Sequence, residues 1–259
     1  MTTTHNLLQI GTSAPRGDAL AKARGTEPFA ADCYPENLIW AGAVRAGVPH
    51  GRLISVDASA ALAVPGMLKV LTAKDVPGPN RFGIIHKDTP VLVDDVIRYS
   101  GDAVALVLAE TRQALQQAIR LVQLEIEPLA AVFDADAALA AGAPQLHEKH
   151  PGNLLMQAEI RKGDAQAAMA DCDAIVEGEF STPVQAHAFL ETENGVAWLE
   201  EDSAIAMTVS TQSPFRDRIE IGNALGIPFT SIRISAPSLG GGFGGKDGAT
   251  VQCLLALAA

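Results

Sequence analysis

Ten residues limit this chain more than any others: Ser238-Leu239-Gly240-Gly241-Gly242-Phe243-Gly244-Gly245-Lys246-Asp247, five of them glycine. Glycine has no Cβ. It reaches backbone angles other residues avoid, and it lets the main chain come close to a ligand. Strand-like Ser231–Ala236 precedes the run, and apolar, helix-permissive Ala249–Ala259 follows it. A glycine loop between a strand and a helix gathers several N–H groups and the positive end of the helix at one point. That arrangement suits phosphate or another anion.

Two general patterns fit the run. Gly240-x-Gly242-x-x-Gly245 satisfies a dinucleotide fingerprint, and Gly240-x4-Gly245-Lys246 satisfies the start of a P-loop. Both are weak, because so many glycines satisfy almost any glycine pattern. A P-loop also needs Ser or Thr after the lysine to hold magnesium, where this chain has Asp247. A dinucleotide fingerprint belongs in the first βαβ unit, with an acidic residue about twenty positions on. A tight structural turn is the plain alternative.

The 259 residues suffice for two modest domains or part of something larger. Hydrophobic residues make up 48% and charged ones 19%, so the chain can bury a core. A formal net charge of −11 argues against nucleic acid, which needs a basic face. No apolar run is long enough to cross a bilayer, and no basic amphipathic run suggests a membrane surface. Cys33, Cys172 and Cys253 are too far apart for a metal site or a disulfide frame. The N-terminus lacks a signal peptide's charged start and apolar core, so the expected compartment is the cytoplasm.

Residues 1–24 read as an arm. Strands are expected at 38–44, 52–57 and 67–71, with a short helix at 58–64. Ala103–Leu108 is continuously apolar, the mark of a strand covered on both faces. Thr111 is placed to cap a helix with Ala114, Leu115, Ala118, Ile119 and Val122 on one side, and 123–127 alternates as a strand. Residues 25–130 therefore form a mixed α/β (α+β) unit. Residues 131–155 read as a linker, in which His147 and His150 are solvated loop histidines. A second unit, 156–259, is expected to have strands at 174–180, 195–199 and 204–210. A helix capped by Ser213 and begun by Pro214 then runs to Gly226. Asp247 is expected to cap the last helix. Gln212 and the glycine loop both lie at strand-to-helix edges, where they can face each other. The apolar final helix leads to the expectation that more protein completes this unit.

The full string Leu239 to Lys246 resembles the molybdopterin-binding subunit of the xanthine dehydrogenase/aldehyde oxidase family, the molybdenum hydroxylases. Val209-Ser-Thr-Gln-Ser-Pro214 and Gln185-Ala-His-Ala-Phe-Leu-Glu191 are similar to two further family segments. Residues 25–130 resemble the family's α/β hammerhead domain, in stretches such as Val48-Pro-His-Gly-Arg52, Leu71–Gly78 and Ile97–Ala105.

The resemblance implies a molybdenum–molybdopterin cofactor, for which the cytosine dinucleotide form is one of the options. It places Gln212, Gly241, Gly242, Phe243, Gly244 and Gly245 against the cofactor. No side chain here ligates the metal directly. The implied chemistry is oxidative hydroxylation of an aldehyde or N-heteroaromatic, purine-like carbon, with electrons leaving through 2Fe-2S clusters to FAD. Those groups are expected on an iron–sulfur subunit and an FAD subunit, beside the remaining molybdopterin-binding domain. Asp247 stands where purine-oxidising members have Glu in contact with substrate, and is one methylene shorter. The family's glutamate base lies far beyond the glycine loop, so this chain alone is expected to be inactive. A non-catalytic docking subunit and a P-loop-like nucleotide module remain the alternatives.

Overall fold

The computed structural model describes residues 11 and 13–259, so most of the expected arm lies outside the described residues. The part that is described contains a short helix, α1 (Ala19–Arg24), closed by left-handed Gly25.

The first unit runs β1 (Trp40–Arg45), β2 (Gly51–Asp57), α2 (Ser59–Leu62), β3 (Met67–Leu71), β4 (Arg81–Phe82), β5 (Thr89–Pro90), β6 (Val96–Ile97), β7 (Ala103–Ala109), α3 (Arg112–Leu121) and β8 (Gln123–Pro128). β7 lies between β1 and β3, antiparallel to both, while β2 lies between β6 and β8. All seven residues of β7 are buried. Its two faces look into different cores. Leu106 and Leu108 join Leu71, Val91 and Leu92, whereas Ala105, Val107 and Ala109 join Ala114, Leu115 and Ala118 of α3. That double burial is why its sequence is apolar without alternation. Thr111 caps α3 as expected, its Oγ1 accepting from the Ala114 N–H at 3.1 Å.

Two short helices follow, α4 (Ala135–Leu139) and α5 (Ala165–Ala170). Then come β9 (Gly195–Leu199), β10 (Ile205–Val209), α6 (Pro214–Leu225), β11 (Ile232–Ser235) and α7 (Val251–Ala258). β10 is the central strand, antiparallel to β9 and parallel to β11. The β10–α6–β11 crossover brings the carboxyl ends of two parallel strands to one edge. Gln212 follows the first strand and the glycine loop follows the second. The outer side of such an edge is where open α/β sheets bind ligands.

The two units share a core. Met207, Val209, Ile221 and Leu225 pack in one cluster with Leu71, Val76, Leu92 and Leu106. The Asn80 N–H donates to the Ala224 carbonyl at 2.9 Å, and a Cβ on Gly78 would meet the backbone of Leu225 and Gly226.

Three expectations fail. Residues 174–180 are exposed and belong to no strand, because nothing among the described residues pairs with them. Asp247 does not cap the last helix, which begins four residues later at Val251, after Thr250. Ser213 occupies the N-cap position of α6, but its side chain accepts no backbone N–H there. Both of these polar side chains are engaged with one another instead.

Candidate functional site

The glycine loop is held at its two ends by one carboxylate. Glu191 Oε2 accepts from the Gly240 N–H at 2.8 Å, from Ser210 Oγ at 2.8 Å and from Lys246 Nζ at 3.1 Å. Lys246 is fully buried and points inward. Its ammonium also donates to the Glu191 carbonyl at 2.6 Å and to Ser210 Oγ at 2.7 Å, and lies 4.7 Å from the centroid of the Phe189 ring. Burial opposes ionisation of Glu191. The Gly240 N–H, Ser210 and Lys246 outweigh it and hold the carboxyl below its ordinary range. The ion pair is a clamp within the fold. A lysine so engaged is not available to a nucleotide phosphate, which removes the P-loop reading.

Gln212 holds the middle of the loop. Its side-chain Oε1 accepts from the Gly244 N–H at 3.0 Å and the Lys246 N–H at 3.2 Å, and its own N–H donates to the Lys246 carbonyl at 3.0 Å. Gly242 is required there, since an added Cβ would lie 2.5 Å from Gln212 Oε1. Gly245 is similarly pressed, by Phe189 at 2.7 Å and His187 at 2.9 Å. The chain turns left-handed at Gly241 (φ 100°), Phe243 (φ 50°) and Gly244 (φ 90°). A left-handed phenylalanine is strained, and such strain gathers at functional sites. Phe243 is also 74% exposed, so burial of its ring does not compensate the strain. The N–H groups of Gly241, Gly242 and Phe243 have no partner among the described residues.

At the far end of the loop, Asp247 Oδ1 accepts from Ser213 Oγ and from Arg216 Nη1, the latter at 2.9 Å. The Ser213 hydrogen bond and the Arg216 charge keep its carboxyl ionised, below the ordinary aspartate range. Behind it, Thr211 Oγ1 donates to buried Asp217 at 2.5 Å and accepts from the Ser213 N–H at 3.0 Å. Burial pushes the Asp217 pKa up to about 6.

The structure thus brings together all the residues singled out in the sequence: Gln212, Gly241 to Gly245 and Asp247. Asp217 escapes a sequence reading, because it does not stand out until α6 is folded against the loop, whereas Glu191, in the segment 185–191 singled out in the sequence, has the structural hydrogen-bond role that reading favours. Elsewhere, His86 joins His147 and His150, with ring centroids 4.7 and 6.0 Å from that of His150. Among the described residues no group of His, Cys, Asp or Glu is arranged to hold a metal ion.

Comparison with known proteins decides what this loop belongs to. Residues 25–130 match the family described as aldehyde oxidase and xanthine dehydrogenase, a/b hammerhead domain, and residues 146–259 match the molybdopterin cofactor-binding domain. The chain belongs to the aldehyde oxidase and xanthine dehydrogenase family. It is 40% identical over 248 residues to the nicotinate dehydrogenase large molybdopterin subunit of Eubacterium barkeri, covering 96% of this chain and 58% of that one. It is 37% identical over 247 residues to a probable xanthine dehydrogenase subunit from Bacillus subtilis, covering 95% and 33%. Its backbone matches the aldehyde oxidoreductase of Desulfovibrio gigas with a TM-score of 0.90 at 30% identity, over 96% of this chain and 29% of that one. The chain therefore spans between about three-tenths and three-fifths of the length of these relatives. The mixed α/β architecture expected from the sequence is the family's: a hammerhead unit followed by molybdopterin-binding sequence.

Proposed function

We propose that this chain supplies the glycine-loop wall of a molybdopterin site in an oxidoreductase that hydroxylates an aldehyde or N-heteroaromatic carbon. The observation that carries the proposal is the Gln212 pin. Gln212 accepts from Gly244 and Lys246, while its own amide NH2 and the N–H groups of Gly241, Gly242 and Phe243 have no partner among the described residues. A Cβ at Gly242 would disturb that pin. Unpartnered donors on a loop pinned by Gln212 fit an anionic, oxygen-rich group. The residues present therefore fit the cofactor that the family's domain is named for.

The bound cofactor would supply a two-electron oxidation of the substrate carbon, with water as the source of the new hydroxyl and two protons released. The chain's own residues position it. Gln212 and the loop N–H groups orient the group they bind. Phe243, exposed on the loop, is placed to be covered by the group or partner that the loop binds. Asp247 stays ionised. Its Oδ1 is committed to Ser213 and Arg216, while Oδ2 has no partner among the described residues and can accept from a substrate N–H.

The base that completes the reaction and the rest of the cofactor site would come from the remaining molybdopterin-binding portion, so the chain is inactive by itself. Electrons would leave through an iron–sulfur partner and a flavin partner. The cytosine dinucleotide form of the cofactor is compatible with this reading. A cytoplasmic location is part of this proposal; no helix among the described residues is long and apolar enough to cross a membrane.

The test is molybdenum and pterin content, by elemental mass spectrometry and oxidised-pterin fluorescence, on the chain alone and in its native assembly. Stoichiometric metal in the assembly supports the reading. A properly assembled complex with neither metal nor pterin overturns it.

A further inference from the structure

Residues 173–190 are largely exposed, belong to no helix or strand, and make no backbone hydrogen bond to any described residue. Their side chains alternate. In the sequence Val176, Phe180 and Val184 share one set of alternate positions and Glu177, Glu179 and Gln185 share the other, which also holds Ile175 and Pro183. Period-two alternation is the pattern of a strand with one covered face. Here that face is bare: Val176 is 95% exposed and Phe180 94%, with Val184 fully open as well. Large apolar side chains in such a row are rarely left in water by a finished fold.

The whole molecule repeats the message. It exposes 17590 Å², whereas a compact monomer of 27.0 kDa would expose about 11,000 Å² by the usual scaling with mass. The excess is surface that this chain leaves unburied. An unpaired, solvated segment has no internal reason to keep one path. Yet the backbone of 96% of this chain follows that of the Desulfovibrio gigas aldehyde oxidoreductase, of which it matches only 29%. The path therefore belongs to a larger fold, and chain outside the matched part is available there to cover it.

We propose that residues 174–184 are an acceptor strand for β-strand addition, and that the occupant is the polypeptide carrying the rest of the molybdopterin-binding fold. Pairing would satisfy the free N–H and C=O groups as ladder bonds, and the incoming apolar face would cover Val176, Phe180 and Val184. Pro183, which has no N–H, sets the limit of the ladder. The same segment continues through His187, Phe189 and Glu191, which pack on or tie the glycine loop. Strand addition would thus stiffen the loop from behind. The inference rests on the functional reading above, since it takes its occupant from that family.

Hydrogen exchange by mass spectrometry on the native assembly and on the isolated chain tests it. Amides of 174–184, Pro183 aside, should exchange at unstructured rates in the isolated chain and at least a hundredfold slower in the assembly. Phe180→Asp should weaken retention of the chain in the assembly at least tenfold, while Glu179→Lys on the opposite face changes it less than twofold. Phe180 is exposed, so the isolated variant should melt with the wild type, which separates lost docking from lost folding. Unprotected amides in the assembly overturn the proposal. So does protection that appears in the isolated chain as its concentration rises, which would make a second copy the occupant. Metal and pterin are measured on the same samples. Metal without protection sinks the strand pairing alone, and protection without metal or pterin sinks the cofactor reading alone.

Discussion

At the scale of single residues, the site is a set of hydrogen-bonded ties with different energetic weights. Glu191 and Lys246 are a buried pair, and removing one partner strands the other. Glu191→Ala should therefore destabilise the chain by about 3–5 kcal/mol, read as a lowered melting temperature. Lys246→Met made in the Glu191→Gln background should recover part of that loss; a double variant as unstable as Glu191→Ala would contradict the clamp. Gln212→Ala removes an acceptor from two loop N–H groups, about 1 kcal/mol each, so the fold should survive while the loop loosens. Asp217 predicts a pH dependence. Its folded pKa of about 6 lies above the unfolded value. The folded chain binds this proton more tightly than the unfolded chain does, so the group's effect falls away below about pH 4, and stability drops as pH rises from there through 6. Above that window the buried carboxylate costs on the order of 2–3 kcal/mol. Asp217→Asn keeps an acceptor for Thr211 and should melt higher than wild type at pH 7.5 but not at pH 4. An equal advantage at both values would show that the carboxylate's charge is not the cause.

At the scale of elements, what was legible in the sequence is what local pattern dictates. β7 showed itself by an apolar run, α3 by its Thr111 cap and four-residue spacing, and α6 by Pro214 and Gly226 at its ends. The glycine loop showed itself by composition. Longer-range choices stayed hidden. Nothing local says that Ser213 and Asp247 prefer each other, through a hydroxyl–carboxylate bond, to capping their own helices. Nothing local says that 174–180 has strand composition but no partner in this chain. Lys246 is a similar case, since only the fold shows that it turns inward to Glu191 rather than out to a ligand. The contact between units is a further prediction at this scale. Gly78 lies against the end of α6, where a Cβ would strike Leu225 and Gly226. Gly78→Ala must push backbone apart, so it should lower stability by at least about 2 kcal/mol. Thermal melting checks it, and a neutral result would mean that the two units are not packed this way.

At the scale of the whole molecule, one of the chain's cores is shared between a hammerhead unit and strands of molybdopterin-binding sequence, and at the parallel-strand edge lies a loop with N–H groups unpartnered among the described residues. The central claim is that this loop, pinned by Gln212, holds the cofactor. The most direct measurement is molybdenum per chain in the native assembly, wild type against Gly242→Val. The nearest neighbours of a Cβ there all belong to the Gln212 side chain, so the substitution presses on the pin and not on Glu191. The account predicts near-stoichiometric metal in the wild type and less than about a tenth of it in the variant, with assembly preserved and the melting temperature lowered no more than by Gln212→Ala, which loses the same pin. Equal metal in the two proteins would contradict it, and the glycine loop would then be a structural turn.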